Sequence, residues 1–340
     1  MKNRFPVGDK RATSYAGLVL VVIIWGINPL ITKFLQRYYS PAVLTTCTAA
    51  ISAVALLFFC RKKLHLLNRE YFKVAGTTGV FYALGEIVQK IGLPYTTPSV
   101  YAFLENLSVV VVPLLTFIFV RKKPSLIKIA ASVLCLFGVF VLTGGLSLSG
   151  GFRFGLGEVL CALSGIFYGV NIAGTGAFAK KLDSALYLMI QMFVHTVIGA
   201  ITTVSLNFVT KPDGTVFEPT VFSFSAFILL VVAVALFTSV FCWLIRTEAM
   251  KHIDASVVAV IMPFSAVITG IASVIAGTDD LSTALVIGGT LCLISAIISG
   301  LSDAFENKNK PNAKTTTCET DASNVESECA DETKDETANA

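Results

Sequence analysis

Glu105 stands inside an apolar run, YAFLENLSVVVVPLL, seven residues into a segment that reads as one helix. Tyr101, Glu105, Ser108 and Val112 follow one another at spacings of four, three and four, which places them on one helical stripe, with Asn106 flanking it. A carboxylate at that depth needs a cation, a hydroxyl, water or its own proton. It could therefore hold a cationic group or carry a proton. Glu86 and Lys90 lie four apart with Gln89 between them, a spacing that lets the two charges pair on one face. The same residues could instead form the polar wall of a cavity, with Glu86 as a proton acceptor. Gln191 and His195 are a second i, i+4 pair. His195 is either a group that titrates near neutrality or a hydrogen-bonded structural histidine. Two further faces repeat each other: Trp25, Asn28 and Thr32, and Tyr168, Asn171 and Thr175.

All these residues lie in segments built for a bilayer. Hydrophobic residues make up 54% of the chain and charged ones 14%, against roughly 25% charged in soluble proteins. Ten apolar runs are each close to the ~20 residues that a spanning helix needs. They fall near 15–35, 41–60, 72–92, 98–120, 126–144, 155–178, 185–207, 221–245, 255–277 and 282–301. The third is the least apolar, because it contains Glu86, Gln89 and Lys90. The expected fold is an all-α polytopic membrane protein. An ionisable residue inside a crossing costs about 2.5–3.5 kcal/mol on insertion scales, so such residues should face a cavity or a partner.

Charge sets the expected orientation. Seventeen of the lysines and arginines in residues 1–301 fall in the N-terminal segment and in alternate loops, including Arg61 to Lys73, Arg121 to Lys128, Lys180, Lys181, Arg246 and Lys251. Five lie on the other side: Lys33, Arg37, Lys90, Arg153 and Lys211. Positive charge is retained in the cytoplasm during insertion, which predicts both termini inside and a multi-pass protein of the plasma (cell inner) membrane. The basic N-terminus with its long apolar run reads as a cytoplasmic segment, 1–14, and a first crossing, not as a cleaved signal peptide. Residues 302–340 hold ten acidic and four basic residues and few apolar ones, which predicts a disordered acidic cytoplasmic tail. The eight cysteines have no metal-ligand spacing; neither zinc nor disulfides are expected.

The two halves look like copies. A glycine- and serine-rich connector, 144–155, separates residues 15–144 from 155–301, five crossings on each side. At an offset of 143, Trp25 matches Tyr168, Gly26 matches Gly169, Asn28 matches Asn171 and Thr32 matches Thr175. Five crossings are an odd number, so the second copy must be upside down relative to the first. Ten transmembrane helices in two inverted five-helix repeats are an architecture of secondary transporters. Pro29, Pro113 and Pro263 are the expected helix breaks, where lost backbone donors loosen a helix beside a cavity.

The segment IGLPYTTPSVYAFLENLSVVVVPLL resembles the EamA-like repeat of the drug/metabolite transporter superfamily, through Gly92, Tyr95, Thr96, Thr97, Ser99, Ala102, Phe103, Leu104 and Pro113. Trp25 and Gly26 match the tryptophan–glycine of that family's first helix, and Tyr168 and Gly169 echo it. The resemblance covers 15–301. It implies two inverted repeats around a central cavity, alternating access, and a cargo of small metabolites, amino acids, drugs or nucleotide sugars, often exported or exchanged. The glycine–glutamate that often ends the fourth and ninth helices is absent, and Glu86 and Glu105 stand where the family is usually apolar or small. That departure points to a distinct, cationic cargo.

The expected function is thus a secondary active permease for a small molecule. Its candidate pathway is formed by Trp25, Asn28, Glu86, Lys90, Tyr101, Glu105, Asn106, Tyr168, Asn171, Gln191 and His195. No cofactor is expected, and coupling to protons is open through the two glutamates. No GxxxxGK[ST] loop is present for direct use of ATP. The expected partners are the bilayer and the substrate, not nucleic acid, and a homodimer is open. A channel or receptor is the alternative. An intramembrane enzyme is the least favoured class, because neither a paired aspartate nor a nucleophile beside His195 is evident, and the chain is not expected to be an enzyme.

Overall fold

The computed structural model describes residues 7–120, 125–142, 155–178, 182–205, 221–252 and 261–308. The connector at 143–154, the residues 253–260 that open the ninth crossing and the acidic tail from 309 onward lie outside the described residues. The rest is helical apart from short connectors, with no strand among the described residues. The first three crossings are α1 (Val7–Leu35), α2 (Pro41–Cys60) and α3 (Arg69–Gly92). The fourth is split into α4 (Pro98–Glu105) and α5 (Ser108–Val120). Then follow α6 (Leu126–Leu142), α7 (Leu156–Phe178) and α8 (Ser184–Ser205). The eighth crossing joins α9 (Val221–Ala233), a π-helical segment (Val234–Cys242) and α10 (Trp243–His252). The ninth contains α11 (Phe264–Ile275), and the tenth is α12 (Thr283–Lys308). Residues 1–302 form one unit; 303–340 group separately.

Local chemistry places the ends. The Asn68 side chain accepts from the Tyr71 amide at 3.2 Å and starts α3. Thr97 accepts from the Val100 amide at 3.3 Å, with Pro98 at the first helical position of α4. Asp183 accepts from the amides of Ala185 and Leu186 at 3.0 and 3.2 Å and starts α8. Gly277, at φ 66°, follows α11 in the left-handed region that only glycine enters at little cost. Five helical spans, 12–35, 41–66, 156–178, 184–205 and 227–252, are long and apolar enough to cross a membrane unaided. Their outward faces carry large apolar side chains such as Phe58, Phe59, Val204 and Leu229. In water such a surface would be a liability; in a multi-pass membrane protein it meets lipid.

The packing maps onto itself when each crossing is exchanged with the one five places away. The second packs on the seventh, and the fourth on the ninth. The sixth packs on the third and fourth, as the first does on the eighth and ninth. Two glycines show how close this correspondence is. A Cβ on Gly26 would meet Ile268 at 2.6 Å and the Ser265 carbonyl at 3.0 Å; one on Gly169 would meet Val111 at 2.7 Å and the Ser108 Cα at 3.6 Å. Equivalent glycines of the first and sixth crossings thus touch equivalent serine-x-x-branched pairs in the ninth and fourth. This register also aligns the interruptions. The fourth crossing breaks at Asn106–Leu107 and the ninth at Met262–Pro263.

The expected proline breaks need correction. Pro263 lies at an interruption, but α1 runs unbroken through Pro29 and α5 through position 113. The fourth crossing is interrupted seven residues before Pro113, at a site with no proline. The single stripe expected from Tyr101 to Val112 is lost with it, since helical periodicity does not carry across the turn.

At one end of the molecule Lys63 Nζ reaches Asp183 at 2.7 Å and so ties the second crossing to the start of the seventh. Burial acts to raise the Asp183 carboxyl, but the Lys63 hydrogen bond and the Leu186 and Ala185 amides together hold it below its ordinary 3.8. A lowered folded-state value contributes stability above the unfolded-state value and loses it as pH falls through the folded one. Asp183→Ala should cost about 1 kcal/mol at neutral pH, as loss of a helix cap does, and should remove this acid-side dependence. Thermal unfolding in detergent at neutral and acidic pH checks both; coincident curves for the two proteins would remove Asp183 as a cap.

Candidate functional site

The third crossing carries a polar face that meets the second repeat. Thr78, Tyr82, Glu86 and Gln89 recur at spacings of four, four and three, and each finds a partner from another helix or its own next turn. Glu86 Oε2 lies 3.1 Å from Lys90 Nζ, with side-chain exposures of 18% and 5%, so this is a pair held inside the protein. Gln89 donates to Glu105 Oε2 at 3.1 Å and accepts from the Tyr168 hydroxyl at 2.9 Å. One amide thereby links the first repeat's deepest carboxylate to the second repeat. Asn171 donates to the Thr78 carbonyl at 2.9 Å. Gln191 donates to the Thr78 and Tyr187 hydroxyls, both at 3.0 Å, and Tyr187 meets Thr175 at 2.7 Å.

An aromatic row crosses the same interface. Trp25 packs on Trp243 with centroids 5.4 Å apart, Trp243 on Tyr82 at 4.7 Å, and Tyr82 on both Tyr168 at 6.4 Å and His195 at 5.2 Å. Edge-on pairs of this kind contribute about 0.5–1.5 kcal/mol each beyond their buried area. The Trp25 indole donates to the Thr238 carbonyl at 3.3 Å, within the π-helical segment. Such segments leave carbonyls off the regular ladder and recur at functional sites.

Arg246 sits over this row. The charge reading counts it among loop residues; in the structure the eighth crossing continues to His252, and Arg246 is 8% exposed. Its guanidinium carbon lies 4.8 Å from the Trp243 ring centroid and 5.8 Å from that of Trp25. Cation–π contact is worth about 0.5–2 kcal/mol, well short of the several kcal/mol needed to strip a cation of water. A narrow cavity opens beside it, lined by Asn171, Tyr187, Gln191, Trp243, Arg246 and Met250 among others. Its free volume is about 10 Å³, room for one water and not for a metabolite.

Four side chains near this centre keep buried polar atoms without a partner among the described residues: Asn28 Oδ1, Asn106 Nδ2, both ring nitrogens of His195, and Arg246 Nε. Neither ring nitrogen of His195 has a hydrogen-bond partner among the described residues, and its ring meets Tyr82 edge-on. The two matched faces also differ. Asn171 and Thr175 of the second copy are engaged, whereas Asn28 Oδ1 of the first is not. Of the expected residues, Trp25, Tyr168, Asn171, Gln191 and His195 converge on this interface. Glu105 joins it through Gln89, and the Glu86–Lys90 pair lies on the same crossing as Gln89. Tyr101 packs in a core cluster with Phe103 and Leu104 and is not part of the aromatic row, though it lies within electrostatic reach of Glu86, Glu105 and Tyr168. Tyr82 and Trp243 are the additions. The signal for Tyr82 was its place four residues before Glu86.

Two stretches of the chain, 13–144 and 155–301, match the model of the EamA-like transporter family. The chain belongs to the EamA-like transporter family. An uncharacterized transporter of Archaeoglobus fulgidus is 26% identical over 295 residues, which cover 86% of this chain and 88% of that protein. A WAT1-related protein of Arabidopsis thaliana is 22% identical over 297 residues, covering 83% and 86%. A solved crystal structure superposes with a TM-score of 0.59 at 18% identity, over 86% of this chain and 97% of that one; this is a likeness of fold. This EamA-like chain is therefore a membrane transporter whose repeats meet on a polar, aromatic-lined centre.

Removing one partner of a buried ion pair leaves the other charge uncompensated, at a cost of about 3–5 kcal/mol, whereas replacing both is often neutral. Glu86→Gln should thus lower the unfolding temperature markedly, and the Glu86→Leu, Lys90→Met double variant should recover most of it. Equal losses in both would show that the pair is solvated.

Proposed function

We propose that this EamA-like protein is a secondary active carrier, working by alternating access in the plasma (cell inner) membrane with both termini cytoplasmic. The observation that carries this reading is the unsatisfied polar centre between two pseudosymmetric repeats. Buried polar groups normally find partners, and a bilayer interior supplies none. Orphaned atoms on Asn28, Asn106, His195 and Arg246 suit a site that a small molecule completes. The breaks at Asn106–Leu107 and Met262–Pro263 give each repeat a pivot beside that site, which is where rocking halves of a transporter need one. The cavity is too small for a metabolite, so the repeats must part to admit one. The lysine and arginine bias of the loops supports the orientation.

Glu105 is the group proposed for a coupling proton. It faces Gln89 directly, with Glu86, Arg246, Tyr82, Tyr101, Tyr168 and Cys161 as ionisable groups around it among the described residues. Glu105→Gln keeps the shape of the side chain and can still meet Gln89. In liposomes, counterflow of a transported compound should saturate in the wild type. In the variant, transport driven by a proton gradient should fall at least about tenfold, some 1.4 kcal/mol, with the protein still folded. Undiminished gradient-driven transport in that variant would remove Glu105 from coupling, and unsaturable wild-type flux would replace the carrier by a pore.

A further inference from the structure

The register shared by the two repeats exposes one position where they disagree sharply. Trp25 pairs with Trp243 as its equivalent Tyr168 pairs with Tyr82. Three residues after Tyr82 stands Gly85, where a Cβ would come within 3.2 Å of the Tyr168 ring. Three residues after Trp243 stands Arg246. The duplicated scaffold therefore holds a bare backbone on one side and a guanidinium on the other, next to the same kind of aromatic pair. Duplication explains the aromatics; it does not explain the arginine.

Among the described residues no carboxylate pairs with that guanidinium. Glu86 is taken by Lys90 at 3.1 Å. Glu105 lies within electrostatic reach but bonds Gln89. Glu248, two residues on, is engaged by Lys251 at 2.8 Å and by Ser184 at 3.1 Å. Arg246 Nε remains without a partner, the residue is more than nine-tenths buried, and it lines the cavity. A planar fork of donors above a flat ring is the arrangement that recognises a carboxylate or phosphate attached to a flat body.

We propose that Arg246 anchors the anionic group of the transported molecule, with Trp243 and Tyr187 as walls for its apolar part, so that the substrate is a small organic anion. This rests on the carrier reading and reverses the cationic cargo suggested by Glu86 and Glu105. Glu86 is committed to Lys90 and Glu105 accepts from Gln89, so neither stands open to a cationic cargo. An anion arriving at Arg246 supplies the hydrogen-bond partner that its Nε lacks among the described residues, and the repeats part to admit its ring.

The chain offers its own reporter. It has two tryptophans, Trp25 and Trp243, and both lie beside Arg246, so all its indole emission comes from this site. Purified full-length protein in nanodiscs is titrated with benzoate, benzamide and benzylamine, which share a ring and differ in charge, and with phenyl phosphate as the phosphate arm. A saturable emission change with benzoate or phenyl phosphate is expected, and none with the neutral or cationic compound at equal concentration. Arg246→Gln should weaken anion binding at least about tenfold, and Arg246→Lys should retain part of it, because the charge persists without the fork. A response to benzylamine, equal responses to benzoate and benzamide, silence toward both anions, or undiminished binding in Arg246→Gln each overturns the assignment. Should Arg246→Gln fail to fold, the wild-type charge series and Arg246→Lys still decide. Counterflow that saturates without anion binding leaves the carrier and removes the anion site; Arg246-dependent binding without counterflow does the reverse.

Discussion

A bilayer offers no hydrogen-bond partner to a side chain at its midplane, and the arrangement of this protein follows from how its polar groups answer that constraint. A set of them meets at the seam between the repeats. There Gln89 joins Glu105 to Tyr168, Thr78 serves Asn171 and Gln191, and Lys90 neutralises Glu86. The apolar outer faces need nothing beyond lipid. With no hydrophobic force to press helices together inside a membrane, close approach at small residues and interhelical hydrogen bonds must do so. Gly26 and Gly169 supply the first, and the Gln89 bridge supplies the second.

Symmetry and its violation divide the labour. The shell of packing contacts, the paired glycines, the two aromatic pairs and the two helix interruptions all obey the pseudo-two-fold relation. The charges do not: Glu86 and Lys90 lie on the third crossing, Glu105 on the fourth and Arg246 on the eighth. A symmetric shell suits two inverted arrangements of comparable energy, as the proposed alternating access would require. An asymmetric centre would then hold one ligand in a defined orientation in both.

Much of this was legible in the chain. The apolar runs, the odd crossing number and the match of Trp25, Gly26 and Asn28 to Tyr168, Gly169 and Asn171 anticipate the repeats and the faces that meet. The four-residue spacing of Glu86 and Lys90 anticipates their pair. Arg246 was hidden by hydropathy. The apolar window ends at 245, so a charge at 246 reads as a loop residue, although α10 continues two turns further in a more polar sequence. The interruption of the fourth crossing was misplaced for a related reason. Proline marks breaks that arise from a missing donor, and Asn106–Leu107 breaks for the sake of tertiary packing beside Gly165, where a Cβ would meet the Leu104 carbonyl at 2.9 Å. The π-helical turn has no residue signature at all.

That turn has a mechanical meaning. A helix that widens over Val234–Cys242 and then resumes its α-form at Trp243 has absorbed extra residues without breaking. Each residue of an α-helix accounts for about 100° of rotation. Migration of the wide segment along the backbone would turn the residues it passes about the helix axis and leave the helix on either side in place. Trp243 is the first side chain beyond it and Arg246 the fourth. A wide turn placed there would let one cation and one indole turn into or out of the seam without unwinding the crossing.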